Sequence, residues 1–148
     1  MDTLAIYQAC NAAIEAGDFQ AVQEYLDDDY VLTGSTPEPI GKWEILAFLK
    51  AIKAAFPDMA FNFTDLRRNE QGVSGRMHFT GTHTGGLDLA FMGIPVQPPT
   101  GRRVALPEEP VDAYFRDGRM VREVVMKVPG GGLEGVLQQI GAAIPAGS

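Results

Sequence analysis

The 148-residue chain carries one cysteine, Cys10, which excludes an internal disulfide and any metal site built from several thiolates. Histidine is scarce too. His78 and His83 are the only two, and on a strand their odd spacing sends them to opposite faces, a poor arrangement for zinc. Basic residues are outnumbered, 12 Lys and Arg against 19 Asp and Glu, for a net charge of -7. That charge repels phosphate backbones and anionic lipid surfaces, so neither nucleic acid nor membrane is an expected partner. The basic pairs Arg67-Arg68 and Arg102-Arg103 are too short to read as anything but solvated strand or loop ends. No apolar run approaches the length of a membrane span. The opening "MDTLAIYQAC" has no basic stretch ahead of an apolar one, so no secretory signal is read and a cytoplasmic location is expected. A serine nucleophile elbow, Gly-x-Ser-x-Gly, is absent. The glycines Gly130 to Gly132 lack the Lys-Ser/Thr sequel of a phosphate loop and read as a hinge.

What is present is an ordinary folded composition, 45% hydrophobic and 21% charged, of a length that suits one domain, residues 1–148. Apolar residues Leu4, Ile6, Tyr7, Cys10, Ala13 and Ile14 share a helical face over Thr3–Ala16, and Gly17-Asp18 ends that helix and starts another, Phe19–Leu26. The acidic run Asp27-Asp28-Asp29 reads as a solvated break before a short strand, Tyr30–Thr33; the oxygen spacing of a calcium loop is missing. A third helix, Lys42–Phe56, is stopped by Pro57. Strands are then expected over Ala60–Arg68, Gly72–Thr84, Arg103–Arg116 and Arg119–Val128, with hairpin turns at Asn69–Gly72 and Arg116–Arg119. A short helix, Leu133–Ile140, closes the chain, and the tail "AAIPAGS" reads as frayed. Helices first and mainly antiparallel strands afterwards are the signature of an α+β fold.

The order of these elements, together with "FTGTHTG", "PPTGRRV" and "FRDGRMV", resembles the SnoaL-like polyketide cyclase and ester cyclase group of the nuclear-transport-factor-like superfamily. The resemblance runs over nearly the whole chain. It implies N-terminal helices packed on a strongly curved, mainly antiparallel sheet, a cystatin-like cone with a ligand pocket between the layers. It also implies a small hydrophobic molecule as partner, homodimers formed through the outer sheet face, and an intramolecular aldol cyclisation driven by an acidic pocket residue, with no metal and no organic cofactor. In such a cone the outward row would be Arg76, His78, Thr80 and Thr82.

Alternation along the strand puts Met77, Phe79, Gly81 and His83 on one face, mostly apolar, and the resemblance takes that face as the concave one. His83 is thus a candidate catalytic residue at the cavity mouth, with Gly81 leaving room beside it; the plainer alternative is a buried ring bonded to a backbone carbonyl. His78, on the other face, is structural. The family's acid is expected about ten residues after the Asp-Gly turn, and counting from Gly118 leads to Val128, which cannot transfer protons. Substitutes are sought by face: Met120, Arg122, Val124, Met126 and Val128 alternate together with Glu123 and Lys127 opposite, unless a bulge exchanges the faces. Asp112, between Val111 and Ala113, is the second catalytic candidate, its alternative being an outward acid paired with Arg122 or Arg76. Glu108 and Glu109, between Pro107 and Pro110, are expected in solvent, or else beside His83 at the mouth. The expected binding surface comprises Trp43, Met77, Phe79, Phe91, Met92, Val124, Met126 and Val128. Leu87, Leu89, Phe91, Met92 and Ile94 form either a lid or a loop tucked into the core. The functional expectation is a cofactor-free cyclase or isomerase acting on an apolar oxygenated molecule; the alternative is a non-catalytic module that binds one.

Overall fold

A computed structural model describes residues 2–142; the frayed reading of the tail concerns residues 143–148, which lie outside them. The chain forms α1 (Thr3–Ala16), α2 (Phe19–Tyr25), β1 (Leu26–Thr33), β2 (Ile40–Gly41), α3 (Lys42–Ala55), β3 (Thr64–Arg68), β4 (Gly72–Met77), β5 (Thr80–Thr82), β6 (Arg103–Ala105), β7 (Glu109–Arg116), β8 (Arg119–Val125) and α4 (Gly132–Gln139). This is the expected α+β arrangement. Local chemistry sets the helix ends: the Asp2 carboxylate accepts from the Ala5 N–H and Asp18 from Ala21, while Gly17 stops α1 in the left-handed region at φ 77°. At α3 the Glu44 side chain accepts from the Gly41 N–H at 3.2 Å.

One sheet runs in the order β2-β1-β8-β7-β4-β3, and β5 and β6 form a second, two-stranded sheet. Both predicted hairpins are present, β3 to β4 and β7 to β8, and every pairing is antiparallel except that between β1 and β8. Four departures from the expected strands have local causes. The strand expected from Ala60 starts only at Thr64, because Asn62 takes a positive φ of 51°. The long strands expected over Gly72–Thr84 and Arg103–Arg116 each break in two. Pro107 and Pro110 cannot donate to a ladder, and around the break the Phe79 carbonyl accepts from Leu106 while that of Phe61 accepts from His78. The main sheet thus turns over into the small one, and this supplies the bend. The acidic run, expected as a break, lies within β1 instead. Arg116 reaches Asp27 and Asp29 at 3.0 Å each, and Lys42 reaches Asp28 at 3.1 Å, so the acids are tolerated on a strand.

Helices α1 and α3 bury one face each on the concave side, through Tyr7, Cys10 and Ile14 from the first and Ile45, Phe48 and Ile52 from the second. The other side of the layer is built from alternate residues of the strands, among them Val73, Val111, Ala113, Met120 and Val125. No described helix is long and apolar enough to cross a membrane.

Candidate functional site

Between α1, α3, α4 and the concave sheet lies a cavity of about 100 Å³. Its wall is overwhelmingly apolar and rich in aromatic rings, with Phe48, Phe61, Phe63 and Phe79 among the lining residues. The phenylalanines of the floor touch: Phe61 lies 5.5 Å from Phe63 and 6.4 Å from Phe79, centroid to centroid. Met77 and Phe79 line it, as the alternation along β4 and β5 predicts.

Two carboxyls interrupt the apolar wall. Glu123, on β8, accepts from the Tyr7 hydroxyl at 2.6 Å and from the Tyr30 hydroxyl at 2.9 Å, so that α1, β1 and β8 converge on one side chain. Glu109, the first residue of β7, is completely buried; one oxygen accepts from the Gly132 N–H at 3.1 Å and the other has no partner among the described residues. The glycines at the N-terminal end of α4 make this approach possible. A Cβ on Gly131 would stand 2.9 Å from the bonded Glu109 oxygen, and Gly132 takes φ 65° to aim its N–H.

Burial dominates the electrostatics of both acids. It pushes the Glu109 carboxyl above its ordinary range, and the Gly132 N–H offsets this only in part. Glu123 is raised by burial as well, against the pull of the two tyrosine hydroxyls. Tyr7 and Tyr30 are driven well above the usual phenol range, first by burial and then by the Glu123 charge, so they remain donors. Cys10, on the same wall, is pushed up to about 12 by burial and stays a thiol.

The acids occupy different ends of the cavity. In the β7–β8 ladder Glu123 stands opposite Ala113, and Glu109 lies four residues further along β7 on the same inward face. That places the two backbones about 13 Å apart along the strand, too far to share a proton. Glu123 keeps company with Tyr30 and Cys10, and Glu109 with Gly132.

The residues expected at the site are distributed differently. His83 is fully buried but does not line the cavity. Phe56, from the end of α3, fills the space instead: its ring lies 5.3 Å from the imidazole, and its Cβ would be 3.0 Å from a Cβ on Gly81. The small residue admits Phe56 rather than a ligand. His83 Nδ1 is 2.9 Å from the Thr100 hydroxyl, its Nε2 has no partner among the described residues, and burial pushes its pKa down, so the ring is neutral. Asp112 lies on the outer face and accepts from the Ser74 hydroxyl at 2.6 Å; Arg122 instead covers the Tyr114 ring at 4.3 Å. Val124 sits beside Asp112 in the ladder, also outside the cavity. Trp43 is 64% exposed, Phe91 52% and Met126 59%. Leu87 and Leu89 are completely buried and Met92 packs against the core, so this loop is tucked in rather than arched over the mouth. Val128 lies past the end of β8 in a surface groove beside Gly130. Glu108 is exposed and reaches Arg76 at 3.4 Å, whereas Glu109, expected in solvent, points into the cavity.

Strict alternation along β8 puts Glu123 on the wrong face because the strand bulges. Tyr114 pairs with Arg122 and Phe115 with Met120, leaving Val121 unopposed. Met120, Glu123 and Val125 therefore share the inward face. Among the described residues no group of three His, Cys, Asp or Glu could hold a metal ion.

The model of the family described as SnoaL-like polyketide cyclase matches residues 4–126. Solved structures with the same architecture include AclR of Streptomyces galilaeus, with a TM-score of 0.71 at 23% identity over 97% of this chain and 85% of that one. IdmH of Streptomyces antibioticus gives 0.69 at 24% identity over 92% and 99%. A cystatin-fold protein of Novosphingobium aromaticivorans gives 0.64 at 21% over 86% and 99%. At such identities the likeness is one of fold. No curated protein matches the chain.

Proposed function

The chain belongs to the SnoaL-like polyketide cyclase family, and from that premise we propose that it binds an apolar, oxygenated small molecule in the cavity and rearranges it by acid/base proton transfer, with Glu109 as the proton carrier. One observation carries this: a fully buried carboxyl on an apolar wall with one oxygen held by Gly132 and the other unengaged. Such an oxygen is free to take a proton. Burial that raises its pKa brings it nearer to the working pH, where a general base is most effective.

In the cyclisation that fits this chemistry, the Glu109 carboxylate removes a proton from the carbon next to a ketone. The C–H electron pair moves into the carbon skeleton and negative charge collects on the ketone oxygen. The enolate carbon then attacks a second carbonyl in the same molecule, forming one C–C bond and an alkoxide, and the proton held by Glu109 passes to that oxygen. Nothing is gained or lost overall. The apolar wall excludes water that would otherwise protonate the enolate. His83, behind Phe56, and Asp112, on the outer face, have no part in this reading.

Deuterium exchange at the α-carbon of 1-tetralone, followed by NMR, isolates the first step without the natural substrate. The protein should accelerate it, and Glu109→Gln should remove the acceleration while leaving the melting curve cooperative; undiminished exchange in that variant overturns the assignment. A binding module without turnover is favoured by one feature, that both Glu123 oxygens are already engaged by tyrosines. A single compound recovered unchanged from the natively purified protein by mass spectrometry, with no exchange activity, would favour it.

A further inference from the structure

Glu123 is an expensive residue to place on this wall. A carboxyl drawn out of water needs compensation, and two tyrosine hydroxyls from different elements supply it. A Met or Leu would span the same gap in an apolar core with no such requirement. If the cluster served only to staple α1 to the sheet, it would need no access to the cavity. Yet Glu123 and Tyr30 both line the cavity, in company with Asn11 and Cys10, while Tyr7 stands behind them. Two acceptors are therefore offered together at one surface: carboxyl oxygens with lone pairs to spare, and a phenol oxygen whose own proton is given to Glu123.

Resting on the reading of Glu109 above, we infer that Glu123 and Tyr30 form a second polar anchor, which accepts from a hydroxyl at the far end of the ligand and thereby selects molecules oxygenated at both ends. The geometry gives a length. With the two acid-bearing backbones about 13 Å apart, a contact of about 3.3 Å from Glu109 to the reacting carbon and a hydrogen bond of about 2.8 Å at Glu123 leave about 7 Å between that carbon and the ligand's far oxygen. That is the span of two fused rings bearing a short polar arm, a molecule larger than the unliganded space, so its entry requires the adaptable wall residues Met59, Met77 and Met120 to repack around it. The four phenylalanines of the wall suit a flat middle section. A fatty acid is disfavoured, because its single charged head would meet a carboxyl at either end.

The test compares two isosteres, 6-(hydroxymethyl)-1-tetralone and 6-ethyl-1-tetralone, by displacement of the neutral fluorophore N-phenyl-1-naphthylamine. A hydroxyl driven against an apolar wall weakens binding, whereas one that reaches Glu123 and Tyr30 strengthens it, so the sign decides. The hydroxymethyl compound should bind about tenfold tighter, the value of one well-made hydrogen bond. In Tyr30→Phe and Glu123→Gln that preference should vanish or reverse while the ethyl compound binds within about twofold of before. Tyr30→Phe keeps the ring and its volume, so it remains informative if Glu123→Gln does not fold. In Glu109→Gln the preference should persist, which separates failure here from failure of the proton-transfer reading. Preference for the ethyl compound, or a preference surviving in both anchor variants while only the melting temperature falls, overturns the anchor. No displacement by either compound overturns both readings.

Discussion

Replacing Glu109 by Gln should make the protein more stable, and by an amount that grows with pH. The amide keeps the acceptor for the Gly132 N–H and removes the possibility of a charge in the apolar wall. Below about pH 4.3, the ordinary glutamate value, the carboxyl is neutral in both folded and unfolded chains and the wild type incurs no ionisation penalty. Because burial raises the folded value, there is a window above this in which the unfolded chain has released its proton and the folded one has kept it. Across that window wild-type stability falls by about 1.4 kcal/mol for each pH unit, and above the folded pKa the loss is complete and constant. For a domain of this size, about 2–4 °C of melting temperature per kcal/mol converts the slope to about 3–6 °C per unit. The measurement is thermal unfolding by circular dichroism from pH 4 to 8 on both proteins, taken as a difference. Asp27 and Asp58, whose pKa values are lowered by hydrogen bonds to the backbone amides of Asp29 and Thr82, lose stability toward acid in both proteins and so cancel. A difference that is flat with pH, or that widens toward acid, refutes the account of Glu109 as a buried carboxyl with a raised pKa.

His83→Ala should lower stability by about 2–4 kcal/mol, as a buried large-to-small change does, and leave α-proton exchange and ligand displacement as they were, since the imidazole lies outside the cavity; lost exchange with an intact fold would bring it into the machinery. A homodimer through the outer sheet face is proposed from the family resemblance, and light scattering at micromolar concentration should return twice the 16.0 kDa chain mass; a monomer there counts against it.

The elements were legible where one local rule governed them. Thr3–Ala16 can be read from its apolar stripe and the Gly-Asp pair after it, and both hairpins from their turn residues, because the chemistry that decides each lies within a few positions of the sequence. Met77 and Phe79 follow from simple alternation, and they do line the cavity. The acids of the site depend on relations that no short window contains. Glu123 faces inward only because β8 carries an extra residue against β7, and its two partners arrive from positions 116 and 93 residues away. Glu109 sits among prolines and acids that look solvated; what buries it is the turnover of the sheet into β5 and β6 and the return of the Gly-rich segment over its end.

His83 shows the same limit from the other side. Alternation correctly puts it on the inner face, but the inner face of a bent sheet is longer than the cavity. Beyond the bend it is covered by Phe56 rather than open to a ligand. Counting to the family's acid position fails for a related reason, since β8 ends at Val125 and residue 128 has already left the layer. A strand of strict period two would leave a flat, well-packed interface with the helices. The bulge in β8 brings Glu123 to the inward face, and the break before β7 makes Glu109 the first residue of that strand, also facing the cavity. The irregularities that defeat the sequence pattern are therefore the features that build the site.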